Sequence, residues 1–165
     1  MEALLVTPVR IGEILLGKLI PYFVLGMGGM ALSTAMAVWL FDVPFRGSLA
    51  ALVAVSALFM LASLGMGLLI STIARSQFVA GQVAIILAFL PAFILSGFIF
   101  DIGSMPVVVQ WITHIIPARY FVSSLQTLFL AGTVWPIVLG NGAALALMAV
   151  IFLGLTRRKT RKSLG

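Results

Sequence analysis

The chain has no cysteine and a single histidine, His114. Without thiols there is no disulfide, no thiolate nucleophile and no cysteine-ligated zinc, and one imidazole is too few for a conventional zinc site. Acids are nearly as scarce: Glu2, Glu13, Asp42 and Asp101 are the four in 165 residues. No glycine-rich phosphate-binding loop is present, so the chain does not hydrolyse nucleotide alone. Charged residues make up 8% of the sequence, against about 25% in ordinary soluble domains. A soluble fold of this composition would leave much of its surface apolar.

What fills the chain instead is four long apolar runs: Leu19–Phe41, Gly47–Ala74, Ser76–Phe100 and Thr133–Thr156. Inside their ends they are free of acidic and basic residues, apart from the bordering Arg75. Each has at least 23 residues, enough for a helix to cross the ~30 Å hydrocarbon core with tilt to spare. Mean hydropathy is +1.25. The fold class expected is therefore an all-α membrane protein with four transmembrane helices, at 19–41, 47–74, 76–100 and 133–156. The absence of an acid inside any run argues against a self-contained proton- or sodium-coupled carrier.

Net charge is +6, and its placement orients the chain. Four spans put both termini on one side. With that side cytoplasmic, Arg10, Lys18, Arg75, Arg157, Arg158, Lys159, Arg161 and Lys162 lie inside, and Arg46 and Arg119 outside. That asymmetry follows the positive-inside rule. The basic tail at 157–165 reads as a topology anchor rather than a nucleic-acid site. With Glu2, Pro8 and Arg10 in it, residues 1–18 are not expected to be a cleavable signal peptide.

Residues 1–18 form a short cytoplasmic segment in which Thr7-Pro8 signals a helix start, and Pro21 predicts a kink in the first span. Gly26, Gly28, Gly29 and Ser33, and then Ser63, Gly67 and Ser71, are small residues that suit close helix packing. Asp42–Arg46 reads as a tight outer turn and Arg75-Ser76 as a short inner one. Residues 101–132 hold two helices too short to span, Val107–Ile116 and Arg119–Leu130, separated by Pro117. Together they predict a re-entrant or interfacial pair on the outer face. Gln110, Thr113 and His114 are the polar exceptions on the first of them. Trp111, Tyr120 and Trp135 fit an aromatic belt.

Several segments together resemble the permease subunit of ABC-2-type transporters, in particular the bacterial multidrug-export branch. They are Glu2–Val9, Glu13–Lys18 with Pro21-Tyr22, Ser71–Gln77, Pro91, Leu95–Phe100, Ser104-Met105-Pro106 and, most specific, Ile115–Phe121. The resemblance implies the membrane half of an ATP-driven exporter in the cell inner membrane. It implies a second permease subunit in a homo- or heterodimer, surrounding membrane lipids, and a separate ATP-binding subunit that carries the ATP and magnesium. This chain itself would bind no cofactor, metal or nucleic acid and would be no enzyme. Residues 1–18 are similar to the family's coupling helix, which assigns partner coupling to Glu2, Thr7, Pro8, Arg10 and Glu13. The translocation path or gate falls to Gln82, Pro91, Ser96, Gly97, Pro117, Arg119 and Tyr120.

Departures from the family pattern are Asp101 where proline is common, and Gln126 and Ala131 where basic residues are common. The usual permease has six spans, so the sequence is expected to be the C-terminal part of one, lacking two spans and an extracytoplasmic domain. The competing reading is a small membrane-interaction or assembly protein that transports nothing. No charge preference for a substrate follows from the polar span residues. Apolar drugs, lipids and polysaccharide carriers all satisfy them.

Overall fold

The computed structural model describes residues 10–74, 76–89, 93–94 and 99–163, side chains at 11, 87–88 and 161–163 excepted. Among them are six α-helices and no strand: α1 Ile11–Trp39, α2 Leu49–Ile73, α3 Gln77–Ala84, α4 Val107–Thr113, α5 Pro117–Gln126 and α6 Trp135–Ser163. A π-helical turn, Ile85–Phe89, extends α3, and another, Thr127–Ala131, extends α5.

α1, α2 and α6 contain stretches long and apolar enough to cross a membrane, Gly12–Trp39, Leu49–Ile73 and Trp135–Thr160. These answer to three of the four expected spans. The segment expected at 76–100 is described as the eight residues of α3 and the five of its π turn, about 20 Å of helix. Pro91, Ser96 and Gly97 lie outside the described residues, as do Glu2, Thr7, Pro8 and Arg75.

Helix boundaries add detail to the sequence reading. α1 runs unbroken from Ile11 into the first long apolar run, with Pro21 inside it. Arg10 is its extended N-cap, and the Glu13 carboxylate accepts the Arg10 backbone N–H at 3.1 Å. Arginine has no acceptor to return the bond, so this is half of a capping box. Pro117 does not merely break a helix: it is the first residue of α5, where a missing N–H costs nothing. α6 continues through the basic residues to Ser163. Arginine and lysine are good helix formers and are favoured by the dipole at a C-terminus.

The core lies where α2 and α6 meet. Leu52, Ala62 and Leu145 are fully buried, with Val55, Val138 and Ala149 nearly so. A Cβ at Gly142 would lie 3.6 Å from Leu58, and one at Gly65 only 3.1 Å from Phe152. Both residue numbers rise together along this contact, so the two helices run parallel. Among apolar helices the close approach stabilises through dispersion rather than water exclusion. At the shared start of α2 and α6 the chain is tied across itself. Ser48 N–H donates to Thr133 Oγ1 at 2.7 Å, and Arg46 Nη1 donates to the Leu130 carbonyl at 3.4 Å. Gly132 has φ +93°, and a Cβ there would crowd the Arg46 carbonyl at 3.3 Å.

α5 lies against the first half of α2, antiparallel to it. Leu128 packs on Gly47, and Phe121 stacks on Phe59 with ring centroids 4.3 Å apart. The start of α5 therefore sits beside the middle of α2. α1 packs more loosely. A Cβ at Gly26 would strike Met60, yet Gly28 and Gly29 face open space. Close helix packing thus holds for Gly26 and not for its neighbours.

Candidate functional site

The turn from α4 into α5 gathers most of the polar side chains of this region. Gln110, Thr113 and His114 stand at helical spacings of three and four, which puts them on one face of α4. Proline at the first position of α5 redirects the chain and brings Arg119 back over that face. Arg119 Nη1 donates to the Gln110 carbonyl at 3.3 Å and to the Thr113 hydroxyl, and lies 3.0 Å from His114 Nδ1. Thr113 Oγ1 donates to the same Gln110 carbonyl at 2.6 Å and is wholly buried. Tyr120 closes the far side, its hydroxyl donating to the His114 carbonyl at 2.8 Å. Gln110 Nε2 donates to the Met105 carbonyl at 2.8 Å, tying the elbow to the preceding turn.

This network explains where the Arg119 charge sits. A cation in the first turn of α5 is disfavoured by that helix's dipole. The Arg119 guanidinium instead faces the carbonyl end of α4, where a positive charge is welcome. His114 Nδ1 also lies 2.9 Å from the Gln110 carbonyl.

Ile115–Ala118 of the elbow form one wall of a cavity of about 530 Å³. Phe59, Ser63, Met66, Gly67 and Ile70 of α2 form the second wall, and Ala84, Ile85 and Phe89 the third. The lining is apolar apart from the Ser63 hydroxyl. Such a cavity can hold a drug-sized apolar molecule. A second cavity, about 410 Å³, lies between α1, α2 and α5 and is bordered by Ser56. The buried hydroxyls of Ser56 and Ser124 have no protein hydrogen-bond partner. Among the described residues no group of three acidic, histidine or cysteine side chains could hold a metal.

Of the residues singled out from sequence, Pro117, Arg119 and Tyr120 come together in the elbow. Gln82 is exposed on α3 and does not line the cavity. Arg10 and Glu13 stand at the start of α1. The Tyr120 hydroxyl is engaged within the elbow. Trp111 and Trp135 are exposed. Sequence reasoning treated Gln110, Thr113 and His114 as mere polar exceptions. Their shared helical face was the signal that they act together.

The description of ABC-2 type transporters matches residues 1–130. The chain is 56% identical over 164 residues to Probable multidrug ABC transporter permease YbhS of Escherichia coli strain K12, covering 99% of this chain and 44% of that protein. It is 32% identical over 167 residues to Inner membrane transport permease YhhJ of the same strain, covering 100% of this chain and 44% of that one. Probable multidrug ABC transporter permease YbhR is 29% identical over 146 residues, 84% of this chain and 39% of that protein. The chain thus spans less than half the length of these relatives. No solved structure matches. A match that takes in the elbow, the cavity walls and most of the sequence means that the chain belongs to the ABC-2 type transporter family.

Proposed function

We propose that the chain is part of the permease subunit of an ATP-driven exporter, and that the cavity under the α4–α5 elbow lies on its path for apolar substrates. The observation that carries this reading is the family match, joined to relatives named as multidrug permeases. A separate ATP-binding subunit would supply energy, with its own ATP and magnesium. A second permease subunit would complete the path within the lipid of the inner membrane. Both termini are cytoplasmic in this reading, and 76–100 is the third of four spans. The start of the chain, with Glu2, Thr7, Pro8, Arg10 and Glu13, would meet the ATP-binding partner.

Depth gives the elbow its role. From Leu128, beside Gly47, to Pro117 is about 16 Å of helix. That is half the ~30 Å core; with Gly47 at the outer edge of the core, the pair would be re-entrant and Arg119 near the middle of the bilayer. A guanidinium there costs about 2.5–3.5 kcal/mol on insertion scales. The Gln110 carbonyl, Thr113 and His114 replace its water and hold it. The elbow is then a polar-locked roof over an apolar cavity, as an outer gate requires. Pro117, Arg119 and Tyr120 would hold it, and Pro91, Ser96 and Gly97 would add to the path.

The test is efflux of a neutral lipophilic dye from cells carrying the chain with its ATP-binding partner. Met66→Trp, which fills the cavity from α2, should cut efflux by about ten-fold or more while Met66→Leu leaves it intact, since volume and not chemistry is changed. Equal efflux from both variants would remove the cavity from the path.

A further inference from the structure

A groove of about 230 Å³ runs between α1 and α2, lined by Lys18, Leu19, Tyr22, Ser63, Leu64, Gly67 and Leu68. We infer that it holds an anionic phospholipid, its phosphate on Lys18 and Tyr22 and the upper part of one acyl chain in the groove. This goes beyond the permease reading and does not depend on it.

Position supports the assignment. Lys18 is the last charged residue of α1 before Trp39, and the 21 residues between Leu19 and Trp39 give about 30 Å of helix. The ammonium therefore stands at the edge of the hydrocarbon core, where headgroup phosphates lie. Tyr22 is one turn deeper on the same face and 61% exposed. The phenol can reach up to a phosphate or glycerol oxygen while its ring covers the groove.

Charge supports it as well. Lys18 is exposed, and its acidic neighbours on the helix are few. Glu13 is five residues back, off its face, and its carboxylate is engaged by the Arg10 N–H. Asp42 lies beyond the far end of α1. Among the described residues the ammonium is thus a cation without an acidic partner, on a largely apolar slot, complementary to a lipid with a negative head and an apolar tail. A zwitterionic head brings a trimethylammonium against the lysine and fits less well.

The experiment is native mass spectrometry of the purified full chain in detergent, titrated with phosphatidylglycerol or phosphatidylcholine. The parent should retain one phosphatidylglycerol about five-fold more tightly than phosphatidylcholine, the discrimination expected from one basic side chain at an anionic surface. Lys18→Gln should remove that preference. Leu68→Trp, which fills the slot from a residue lining no other described cavity, should weaken binding of both lipids about five-fold or more with the lysine intact. Replacing Arg157, Arg158 and Lys159 by glutamine should leave the tight lipid in place, and inorganic phosphate should not displace it. Circular dichroism keeps misfolded variants out of the comparison. Equal retention of the two lipids by the parent overturns the proposal. So does loss of the tight lipid only in the tail variant, or unchanged binding in Leu68→Trp.

Discussion

Arg119 is where one side chain decides most. All three of its described polar contacts go through one nitrogen, Nη1. The forked geometry that sets arginine apart from lysine is therefore not the feature in use. Charge and reach are. Arg119→Ala leaves the Gln110 carbonyl with one donor fewer and the elbow without its cation. Loss of a charge-assisted hydrogen bond costs about 1.5–3 kcal/mol. Arg119→Lys keeps the charge and three rotatable donors on a shorter stem, and should cost roughly half as much. Thermal unfolding of the purified chain in detergent checks this, with the melting points expected in the order parent, lysine, alanine. A lysine variant as unstable as the alanine one would mean that the guanidinium plane itself is required.

At the scale of elements, glycines tell which helices touch. A Cβ at Gly47 would lie 2.6 Å from a Leu128 methyl and 2.8 Å from the Leu128 carbonyl oxygen. The backbone cannot swing aside as a side-chain tip can, so Gly47→Ala should destabilise by about 1–3 kcal/mol. Gly67 meets nothing within 4 Å, and Gly67→Ala should be neutral to within about 0.5 kcal/mol, or slightly stabilising through helix propensity. The same unfolding assay separates them. From sequence the two glycines look alike, each a small residue in or beside an apolar run. Long runs without charge made α1, α2 and α6 legible, because hydropathy and length fix a span locally. Pro117 marked the elbow for the same reason: proline acts on its own turn of chain. What was not legible is tertiary. The stacking of Phe121 on Phe59 sets how far the elbow reaches along α2. The pairing of Arg119 with Thr113 and His114 needs the reversal between α4 and α5. Nothing in a one-dimensional pattern of polar exceptions on α4 states what they face.

At the scale of the molecule, the parallel run of α2 and α6 constrains topology before any orientation is chosen. Two parallel helices start at the same end, so the turn at 42–48 and the segment at 131–134 share one side, as the Ser48–Thr133 hydrogen bond requires. The chain leaves α2 at the opposite end and must cross back before α6 begins, which is the physical argument for a crossing within 76–100. Charge supports the proposed side. Among the described residues Arg10, Lys18 and the basic end of α6 lie at one end of the helices and Arg46 at the other, and the positive-inside rule would put the first end in the cytoplasm. The absence of cysteine makes each introduced thiol a unique reporter. In intact cells a membrane-impermeant maleimide should label Val43→Cys and Val134→Cys, and label Lys159→Cys only after permeabilisation. Ile116→Cys, at the elbow, should react at least about ten-fold more slowly than Val43→Cys, because apolar surroundings suppress the thiolate. Labelling of positions 43 and 134 from opposite sides would break the parallel arrangement. Labelling of both from the cytoplasm would keep the fold and invert it in the membrane. Rapid labelling at 116 from the outside would lift the elbow from the bilayer interior to its surface, leaving an interfacial helix pair instead of a roof over the cavity.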